Sequence, residues 1–478
     1  MKPQEIHRGQ GDTLVAQVMS AVQREISGRR TASGARLPSI RALAQTLNVS
    51  RSTVVEAYDR LVADGVILAR RGSGFYVAEH LLPFSVAQRG PSLDREVDPL
   101  WITRQALEAA PGVLKPGCGW LPESWMPQAE LRRSLRRLAR AQGDHACLTE
   151  YASPLGLAPL RQRLSRRLAE RGIEASPAQL MLTESGTQAI DLLCRFLIEP
   201  GATVLVDDPC YFNFHAMLRA HRATVIGVPY TATGPDMERF EQAVKAQAPR
   251  LYITNSALHN PTGATLAPAT AHRILRLAEA HDMLIIEDDI FADLEREPAP
   301  RLAALDGLDR VLHIGSFSKT LSASVRCGFV AARPDWIDEL VDLKLATSFG
   351  GGGFSAQLVL DLLEDGAYRK HLGGLRTRLA DAMGCVGDKL SAAGLVAWTE
   401  PRAGMFLWCR LPAGLEAASV AREALGEGVV LAPGDAFSVS GSASGYLRFN
   451  VAQSLSPEVF AVLDRAMERS AASLLRAR

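Results

Sequence analysis

The sequence predicts an α/β protein in two folded parts: a small N-terminal helical unit ending in a β-hairpin, and a large domain built on a mostly parallel sheet. Residues 10–78 show helical periodicity followed by two short apolar strands, and residues 79–112 are rich in proline and glycine, as in a linker. From residue 113 to about 470, short apolar runs alternate with amphipathic helices. A chain of 478 residues is also too long for one simple core.

The composition excludes several classes of protein. Apolar residues make up 47 % of the chain and charged residues 22 %, as in ordinary folded proteins. The seven cysteines are scattered and none has CxxC spacing, so we expect neither a disulfide framework nor a metal site. The N-terminus has no signal-peptide core and no apolar run reaches transmembrane length, so we expect a cytoplasmic protein without membrane contact.

The first 80 residues carry an excess of positive charge. They contain eleven basic residues against seven acidic ones, a net charge of about +4. A small basic unit suits a polyanionic partner such as DNA, although a solvated charged surface produces the same balance.

The N-terminal unit contains the pattern of two helices joined by a tight turn. Ser39 and Ser50 are each placed to cap a helix, and the second helix carries an apolar stripe. The face opposite that stripe begins with Arg51, Ser52 and Thr53. A helix N-terminus therefore presents a cation and two hydroxyl groups where the helix dipole also favours phosphate.

The segment 66–77 predicts two short strands around a basic Gly-Ser-Gly tip. Such a hairpin can lay Arg70, Arg71 and Gly74 along the DNA backbone or in the minor groove. Any one of these residues also suits a small helical domain with ordinary caps and a solvated hairpin. The prediction of DNA binding therefore depends on the whole array.

The whole array resembles the winged helix-turn-helix of the GntR family of transcription regulators. The matching strings are G-A-R-L-P-S-I-R-A-L-A (34–44), V-S-R-S-T-V (49–54), A-Y-D-R-L (57–61), D-G-V-I (64–67) and R-G-S-G-F-Y-V (71–77). The resemblance implies that seven residues lie at or near a double-stranded DNA operator: Arg41, Arg51 and Thr53 at the DNA, with Arg36, Ser39, Ser50 and Ser52 nearby. The sequence leaves open which of them contact bases.

In the large domain, five apolar runs have the length and composition of buried strands. They are TVLVDD (203–208), RLYITN (250–255), MLIIED (283–288), RVLHIGSF (310–317) and CGFVAA (327–332), with helices such as 184–198 and 268–281 between them. This alternation predicts a mostly parallel sheet with helical crossovers.

The string SFSKTLSASVRCGF (316–329) has the ingredients of a Schiff-base site. Lys319 follows an apolar strand, and burial would depress its pKa and favour an imine with an aldehyde cofactor. An S-x-S-K string is weak evidence by itself, since most lysines are simply exposed.

Other segments supply the remaining parts of such a site. Tyr211 can stack on a pyridine ring, Asn260 can donate to a phenolic oxygen, and Asp288 can pair with a protonated ring nitrogen, which makes the ring an electron sink. The predicted phosphate site combines a helix start with the hydroxyls and arginine around the lysine. Its members are Ser185, Gly186, Thr187, Ser316, Ser318 and Arg326.

Taken in this order, the strings resemble fold-type-I aminotransferases over about residues 115–470, which implies a smaller C-terminal α+β subdomain. The resemblance implies pyridoxal 5'-phosphate as the cofactor, with Lys319 and Asp288 as the catalytic pair, and a homodimer whose sites lie at the subunit boundary. Arg448, in the string GYLRFNVA, matches the position that binds a substrate carboxylate. Tyr151 matches a residue that reaches the neighbouring subunit's phosphate.

A winged helix fused to this domain resembles the MocR subgroup of GntR regulators. The resemblance implies a regulator that senses an amino acid, an amine or the cofactor itself through a Schiff base at Lys319, with at most residual transaminase activity. Ile290 and Phe291 stand where the family often has a tyrosine, which leaves Asn260 alone to hydrogen-bond the cofactor's oxygen. A catalytically active aminotransferase with an appended DNA-binding unit is the open alternative.

Overall fold

The backbone divides into two units, Met1–Arg95 and Glu96–Arg478. The computed structural model describes residues 13–27, 36–64, 66–70, 74–77, 99–140 and 150–477. Within each unit, apolar residues recur at the spacing of the local secondary structure and form its buried face.

The N-terminal unit contains three helices and a hairpin: α1 (Leu14–Ser27), α2 (Ile40–Leu47), α3 (Arg51–Ala63), β1 (Ile67–Arg70) and β2 (Gly74–Val77). Its core joins Val18 of α1 and Leu43 of α2 to Val54, Tyr58 and Leu61 of α3. Because these α3 positions recur every three or four residues, the stripe predicted from the sequence is the face that α3 buries.

The hairpin has the register expected of two short antiparallel strands. Ile67 lies opposite Val77 and Arg70 opposite Gly74. The predicted tip, residues 71–73, lies outside the described residues.

The large unit begins with helices and the strands of the main sheet. These elements are α4 (Pro99–Leu107), α5 (Gln128–Arg140), α6 (Ala158–Ala169), β3 (Leu180–Thr183), α7 (Gly186–Leu197), β4 (Thr203–Asp208), α8 (Phe212–Ala220), β5 (Thr224–Thr231), β6 (Gly234–Pro235), α9 (Met237–Gln247), β7 (Leu251–Thr254), α10 (Pro268–Ala280), β8 (Leu284–Asp288), α11 (Leu302–Asp306), β9 (Val311–Ser316), β10 (Gly328–Ala331), α12 (Pro334–Ser348) and α13 (Gly353–Glu364). The C-terminal elements are α14 (Ala367–Ala392), β11 (Val396–Ala397), β12 (Phe406–Arg410), α15 (Ala417–Gly426), β13 (Ala432–Pro433), β14 (Tyr446–Asn450) and α16 (Pro457–Ala477).

The main sheet has eight strands in the order β3-β10-β9-β8-β7-β4-β5-β6. The strands from β9 to β5 are paired in parallel, whereas β10 is antiparallel to both of its neighbours and β6 is antiparallel to β5. The mostly parallel sheet predicted from the apolar runs is confirmed. In open sheets of this kind, ligands bind beyond the carboxyl ends of the parallel strands.

A second, four-stranded sheet forms the smaller C-terminal subdomain, in the order β11-β12-β14-β13. All of its pairs are antiparallel, and apolar residues of α14, α15 and α16 form a core with β12 and β14. The predicted C-terminal α+β subdomain is therefore present.

Part of the predicted linker is folded. The proline and glycine content of residues 79–112 predicts an irregular connection, but α4 lies within this stretch and buries Ile102 and Ala106 one turn apart. The prediction is wrong here because Pro99 stands at the first helical position, where the missing N–H costs no hydrogen bond. Residues 78–98 lie outside the described part of the chain.

Gly315 in β9 and Gly373 in α14 offer a matched test of the packing. Gly315 lies opposite Phe329 across the β9–β10 pair, and a Cβ there would lie 2.2 Å from Phe329 Cζ. We expect Gly315→Ala to lower the free energy of unfolding by about 1–3 kcal/mol, because the ring must move. Gly373 is exposed, with no heavy atom within 4 Å of a built Cβ, so Gly373→Ala should raise stability by about 0.5–1 kcal/mol.

Denaturant unfolding of both variants beside the wild type measures the difference. A Gly315→Ala protein as stable as Gly373→Ala would contradict this packing of Phe329.

Candidate functional site

A cavity of about 430 Å³ lies at the carboxyl ends of the parallel strands, where Asp288 ends β8 and Ser316 ends β9. Nine of the ten predicted cofactor residues line it: Ser185, Gly186, Thr187, Tyr211, Asp288, Ser316, Ser318, Lys319 and Arg326. The tenth, Asn260, is buried behind the wall. The structure therefore brings together residues that are up to 141 positions apart in the chain (Ser185 to Arg326).

One end of the cavity is suited to phosphate. Ser185 caps α7, its Oγ accepting a hydrogen bond from Gln188 N at 3.1 Å. The two preceding amides of the first turn, those of Gly186 and Thr187, have no acceptor within the helix. Ser316 Oγ donates to Ser318 Oγ at 3.1 Å in the facing loop. Backbone N–H groups, hydroxyls and a guanidinium such as that of Arg326 are the donors that suit an anion.

Gly328 is a functional position that the sequence reasoning missed. A Cβ at this residue of β10 would lie 2.8 Å from the backbone carbon of Ser185 and 3.0 Å from Gly186 N. Only a glycine lets the strand pass this close to the start of α7. The string 316–329 contains Gly328, but the contact of this glycine with the start of α7 is visible only in the three-dimensional structure.

The three acids at the end of β8 have three different environments. Glu287 accepts hydrogen bonds from the backbone N–H groups of Leu302 and Ala303 at 2.8 and 2.9 Å. Asp289 is bound by Arg301 through Nε and Nη2, both at 3.1 Å. Asp288 alone lines the cavity, as the alternation of side chains along a strand requires.

Asp288 is buried with an unsatisfied oxygen. Its Oδ1 accepts from Ile290 N at 3.3 Å, and its Oδ2 has no hydrogen-bond partner among the described residues. Burial raises the pKa of Asp288 to about 6. A buried carboxylate with an open acceptor is what a protonated ring nitrogen would pair with.

Lys319 stands across from this carboxylate. Its Nζ donates to Gly119 O at 2.7 Å, and burial, followed by the charge of Arg448, lowers its pKa to about 8. A lysine with a depressed pKa is neutral in a larger share of molecules and is therefore a better nucleophile. Lys319 Nζ lies 6.0 Å from the ring centre of Phe291, which stands at one of the two positions where the family often has a tyrosine.

Arg448 is almost fully enclosed, and it is not part of the cavity wall. Its Nη1 donates to Asn260 Oδ1 at 2.8 Å and its Nη2 to Gly117 O at 2.7 Å, while its guanidinium carbon lies 4.3 Å from the ring centre of Phe406. Burial lowers the pKa of Arg448 to about 10. A Cβ on Gly119 would lie 3.9 Å from both Arg448 Nη2 and Lys319 Nζ, so only a thin stretch of backbone separates the two.

A buried network holds the loop that carries Lys319. The next residue, Thr320, shares a 2.5 Å hydrogen bond with Tyr368 OH, which donates to Asp293 Oδ2 at 2.5 Å. Arg167 and Arg171 both pair with the other oxygen of Asp293. Since Tyr368 belongs to α14, the network ties the Lys319 loop to the helix that leads into the smaller subdomain. No motif in the sequence pointed to Tyr368.

In the N-terminal unit, the predicted caps are present. Ser39 Oγ accepts from Ala42 N at 3.2 Å and Ser50 Oγ from Thr53 N at 3.1 Å. Ser50 also shares hydrogen bonds with the hydroxyls of Ser52 and Thr53, at 2.8 and 2.7 Å.

The basic side chains next to these caps are open to solvent. Arg41 and Arg51 are exposed at the starts of α2 and α3. A Cβ on Gly74 would lie 3.5 Å from Arg36 Nε, and Gly74 has φ of 107°, a conformation that favours glycine. Arg36 therefore lies against the hairpin, whereas the side chain of Arg70 lies outside what the structure describes.

Comparison with known proteins agrees with both units. Residues 14–77 match the family model of bacterial regulatory proteins of the gntR family, and residues 122–465 match that of aminotransferase class I and II. The uncharacterized HTH-type transcriptional regulator YdcR of Escherichia coli is 31 % identical over 88 % of this chain and 91 % of its own length. The HTH-type transcriptional regulator NorG of Staphylococcus aureus is 27 % identical over 78 % of this chain and 86 % of its own.

Among solved structures, the large unit is similar to LysN, an α-aminoadipate aminotransferase of Thermus thermophilus complexed with N-(5'-phosphopyridoxyl)-L-leucine. The two share 27 % identity with a TM-score of 0.71, covering 78 % of this chain and 95 % of that one.

A GntR-type helix-turn-helix and an aminotransferase fold on one chain define a transcription regulator with an aminotransferase-like domain. The chain belongs to the GntR family of regulators and has the architecture of its MocR subgroup, with a large domain of the aminotransferase class I and II family. Among the described residues, no helix is both long and apolar enough to cross a membrane.

The depressed pKa of Lys319 predicts a stability cost. Between pH 8 and pH 10.5 the unfolded chain binds more protons than the folded one at this residue, so wild-type stability rises with pH across that window. Below pH 8 the cost is fully present. We expect the cofactor-free Lys319→Met protein to be about 1–3 kcal/mol more stable than wild type at pH 7, with a gap that shrinks towards pH 10.5.

Urea unfolding of cofactor-free proteins at several pH values measures this gap. Lys245→Met, at an exposed position on α9, serves as the control and should show no such gap. A Lys319→Met protein whose difference from wild type does not change with pH would contradict the burial of a charged lysine.

Proposed function

We propose that this protein is a pyridoxal-phosphate-dependent transcription regulator in which the cavity at Lys319 receives the cofactor and a small amino-group ligand. An amino acid, an amine or the cofactor itself is the signal that changes operator binding. The observation that carries the proposal is the buried, unpartnered Oδ2 of Asp288 in the same cavity as a lysine of depressed pKa.

The residues present fit the cofactor's phosphate and its ring nitrogen. The start of α7, Ser316, Ser318 and Arg326 would hold the phosphate, and Asp288 Oδ2 would accept from the ring nitrogen. Pyridoxal 5'-phosphate bound there would supply an aldehyde for covalent attachment to Lys319 and an electron sink for amino ligands. Tyr211 lines the same cavity and offers a ring face for stacking.

Arg448 would bind the ligand's carboxylate. One of its nitrogens now donates to a backbone carbonyl, Gly117 O, and a carboxylate that replaced this carbonyl would convert a neutral hydrogen bond into a charge-assisted one. Displacement of the Gly117 carbonyl and of Gly119 would then open the way from Lys319 to Arg448, while Gly117 N stays bonded to Val430 O. Asn260 keeps the guanidinium oriented from its other side.

A homodimer is also part of the proposal. Tyr151 is 83 % exposed and Phe349, edge-on to it at 4.9 Å, is 62 % exposed. Two exposed aromatic rings in contact are typical of a protein–protein interface. A second copy of the chain placed there would bring Tyr151 towards its neighbour's site.

A catalytically active aminotransferase is the second candidate, because Lys319, Asp288 and Arg448 are all present. The apolar pair Ile290 and Phe291 argues against enzymatic activity, because neither side chain offers a hydroxyl group to the cofactor. Purified protein incubated with amino acids and 2-oxo acids separates the two: repeated turnover supports the enzyme, and a single half-reaction or none supports the regulator.

Arg51 at the start of α3 should contribute to DNA affinity. We expect Arg51→Ala to weaken binding to duplex DNA from the intergenic region beside the gene by about tenfold, and to reduce the slope of log K against log salt by about 1 if the contact is to phosphate. Arg60→Ala is the control, since Arg60 lies on the same helix in an exposed pair with Glu56 at 2.6 Å. Equal losses in both variants, measured by fluorescence anisotropy, would contradict the orientation proposed for α3.

Lys319 should be required for the response but not for DNA binding itself. We expect Lys319→Ala to bind the same DNA with wild-type affinity in the absence of cofactor, and to lose the change in affinity that pyridoxal 5'-phosphate and amino acids cause in the wild type. Arg448→Gln should retain the response to cofactor alone and lose the response to amino acids.

Both effects are measured by titrating DNA in the presence and absence of each small molecule. A Lys319→Ala protein with an unchanged response would overturn the proposal.

A further inference from the structure

Lys115 lines the cavity without a role in the site described above. It is half-buried, and within the described part of the chain its ammonium group makes no ion pair or hydrogen bond. A lysine held in a cavity wall without an acidic partner is able to bind an anion.

The backbone around Lys115 is fixed in place. Val430 N donates to Leu114 O and Gly117 N donates to Val430 O, both at 2.8 Å, and Asn450 N donates to Pro116 O at 2.7 Å. These bonds tie the segment to the smaller subdomain, next to β13 and β14. Lys115 is therefore held in the cavity wall by its backbone, although its side chain has no partner.

The same segment places Lys115 on the ligand side of the cavity. Two residues further along the chain, Gly117 O accepts from Arg448, which would bind the ligand's carboxylate. The phosphate end is built from other elements, the start of α7 and the loop after β9. Lys115 therefore stands beside the region where the side chain of an amino acid would lie.

Lys115 is a charged residue of the cavity wall that the proposed cofactor does not use. Its charged lining residues are Lys115, Lys319 and Arg326 against a single acid, Asp288. Arg326 serves the phosphate, Asp288 the ring nitrogen and Lys319 the covalent link. With Arg448 assigned to the ligand's own carboxylate, Lys115 is the charged residue of the described cavity lining to which no role has been assigned.

We propose that the ligand is an amino acid with a second acidic group, and that Lys115 binds this distal anion. The inference rests on the proposed function and narrows its ligand from any small amine to a dicarboxylic amino acid. Ala106, Leu107 and Trp120 line the same wall and would cover the carbon chain between the two acidic groups. Lys115 is thus the residue that sets specificity for the ligand's charge.

Amino acids that differ only in this charge provide the test. The wild-type protein, reconstituted with pyridoxal 5'-phosphate, is titrated with L-glutamate, L-glutamine, L-aspartate and L-asparagine. Changes in the cofactor's visible absorption and in the protein's Tm report binding. We expect at least one acid to bind about tenfold more tightly than its amide, which corresponds to about 1.4 kcal/mol.

Three variants test whether Lys115 causes the preference for the acid over its amide. In Lys115→Met the ratio of the two Kd values should fall to near one, and in Lys115→Arg, which keeps the charge, the preference for the acid should persist. Lys245→Met removes an exposed lysine of α9 and should leave the ratio as in the wild type. The Tm without ligand shows that each variant is folded.

The outcomes separate this inference from the function on which it rests. If the wild-type protein takes up no cofactor, and so shows no visible band, the proposed function and the inference both fail. If the band is present but the acids bind no better than the amides, or Lys115→Met keeps the preference, only the inference is overturned.

Discussion

The burial of charged groups at the carboxyl ends of the parallel strands is the constraint on which the large domain depends. A charged group removed from water needs a partner, and most of those here have one: Glu287 is bound by two backbone amides, Asp289 by Arg301, and Asp293 by two arginines. Asp288 and Lys319 are less completely paired. The pKa of Asp288 is raised and that of Lys319 is lowered, so both shifts favour the neutral form of the side chain. These two groups are poised to react or to bind, at a cost in stability that a bound cofactor would offset.

The same constraint explains why the Lys319 loop is connected to its surroundings. Thr320 is joined through Tyr368 to Asp293, and His371 Nε2 lies 2.7 Å from Thr320 O. Tyr368 and His371 belong to α14, which continues into the core of the smaller subdomain. The Gly117–Gly119 backbone makes a second connection: Gly117 O accepts from Arg448 of β14, and Gly119 O accepts from Lys319. A ligand that replaced these backbone contacts would act on the main sheet and the smaller subdomain at once, which is what the proposed sensing of a ligand needs.

The fold supports enzyme and regulator alike, because an aminotransferase scaffold can host either role. The residues around Lys319 distinguish the two only in part. The lysine, the acid and the arginine proposed to bind a carboxylate are all present, as in an aminotransferase, while Ile290 and Phe291 offer the proposed cofactor no hydroxyl group. The helix-turn-helix decides in favour of a regulator, since its caps, its exposed arginines and its buried stripe all agree with one another and with the family to which the chain belongs.

The sequence by itself determined what depends on local order: the helices capped by Ser39 and Ser50, the hairpin, the buried strands, and the strings that carry Lys319, Asp288 and Ser185. Such features follow from spacing and residue type within a few positions, so they can be read along the chain. The prediction of a linker was wrong at α4, because the prolines and glycines of residues 79–112 favoured an irregular connection over a short amphipathic helix. Only the tertiary structure decided which of three neighbouring acids faces the cavity, that Gly328 must admit the start of α7, and that Asn260 and Gly117 hold Arg448. It also decided that Lys115 lies in the cavity wall without a partner among the described residues. Those facts depend on contacts between residues that are distant in the chain, which strand order and subdomain packing alone bring together.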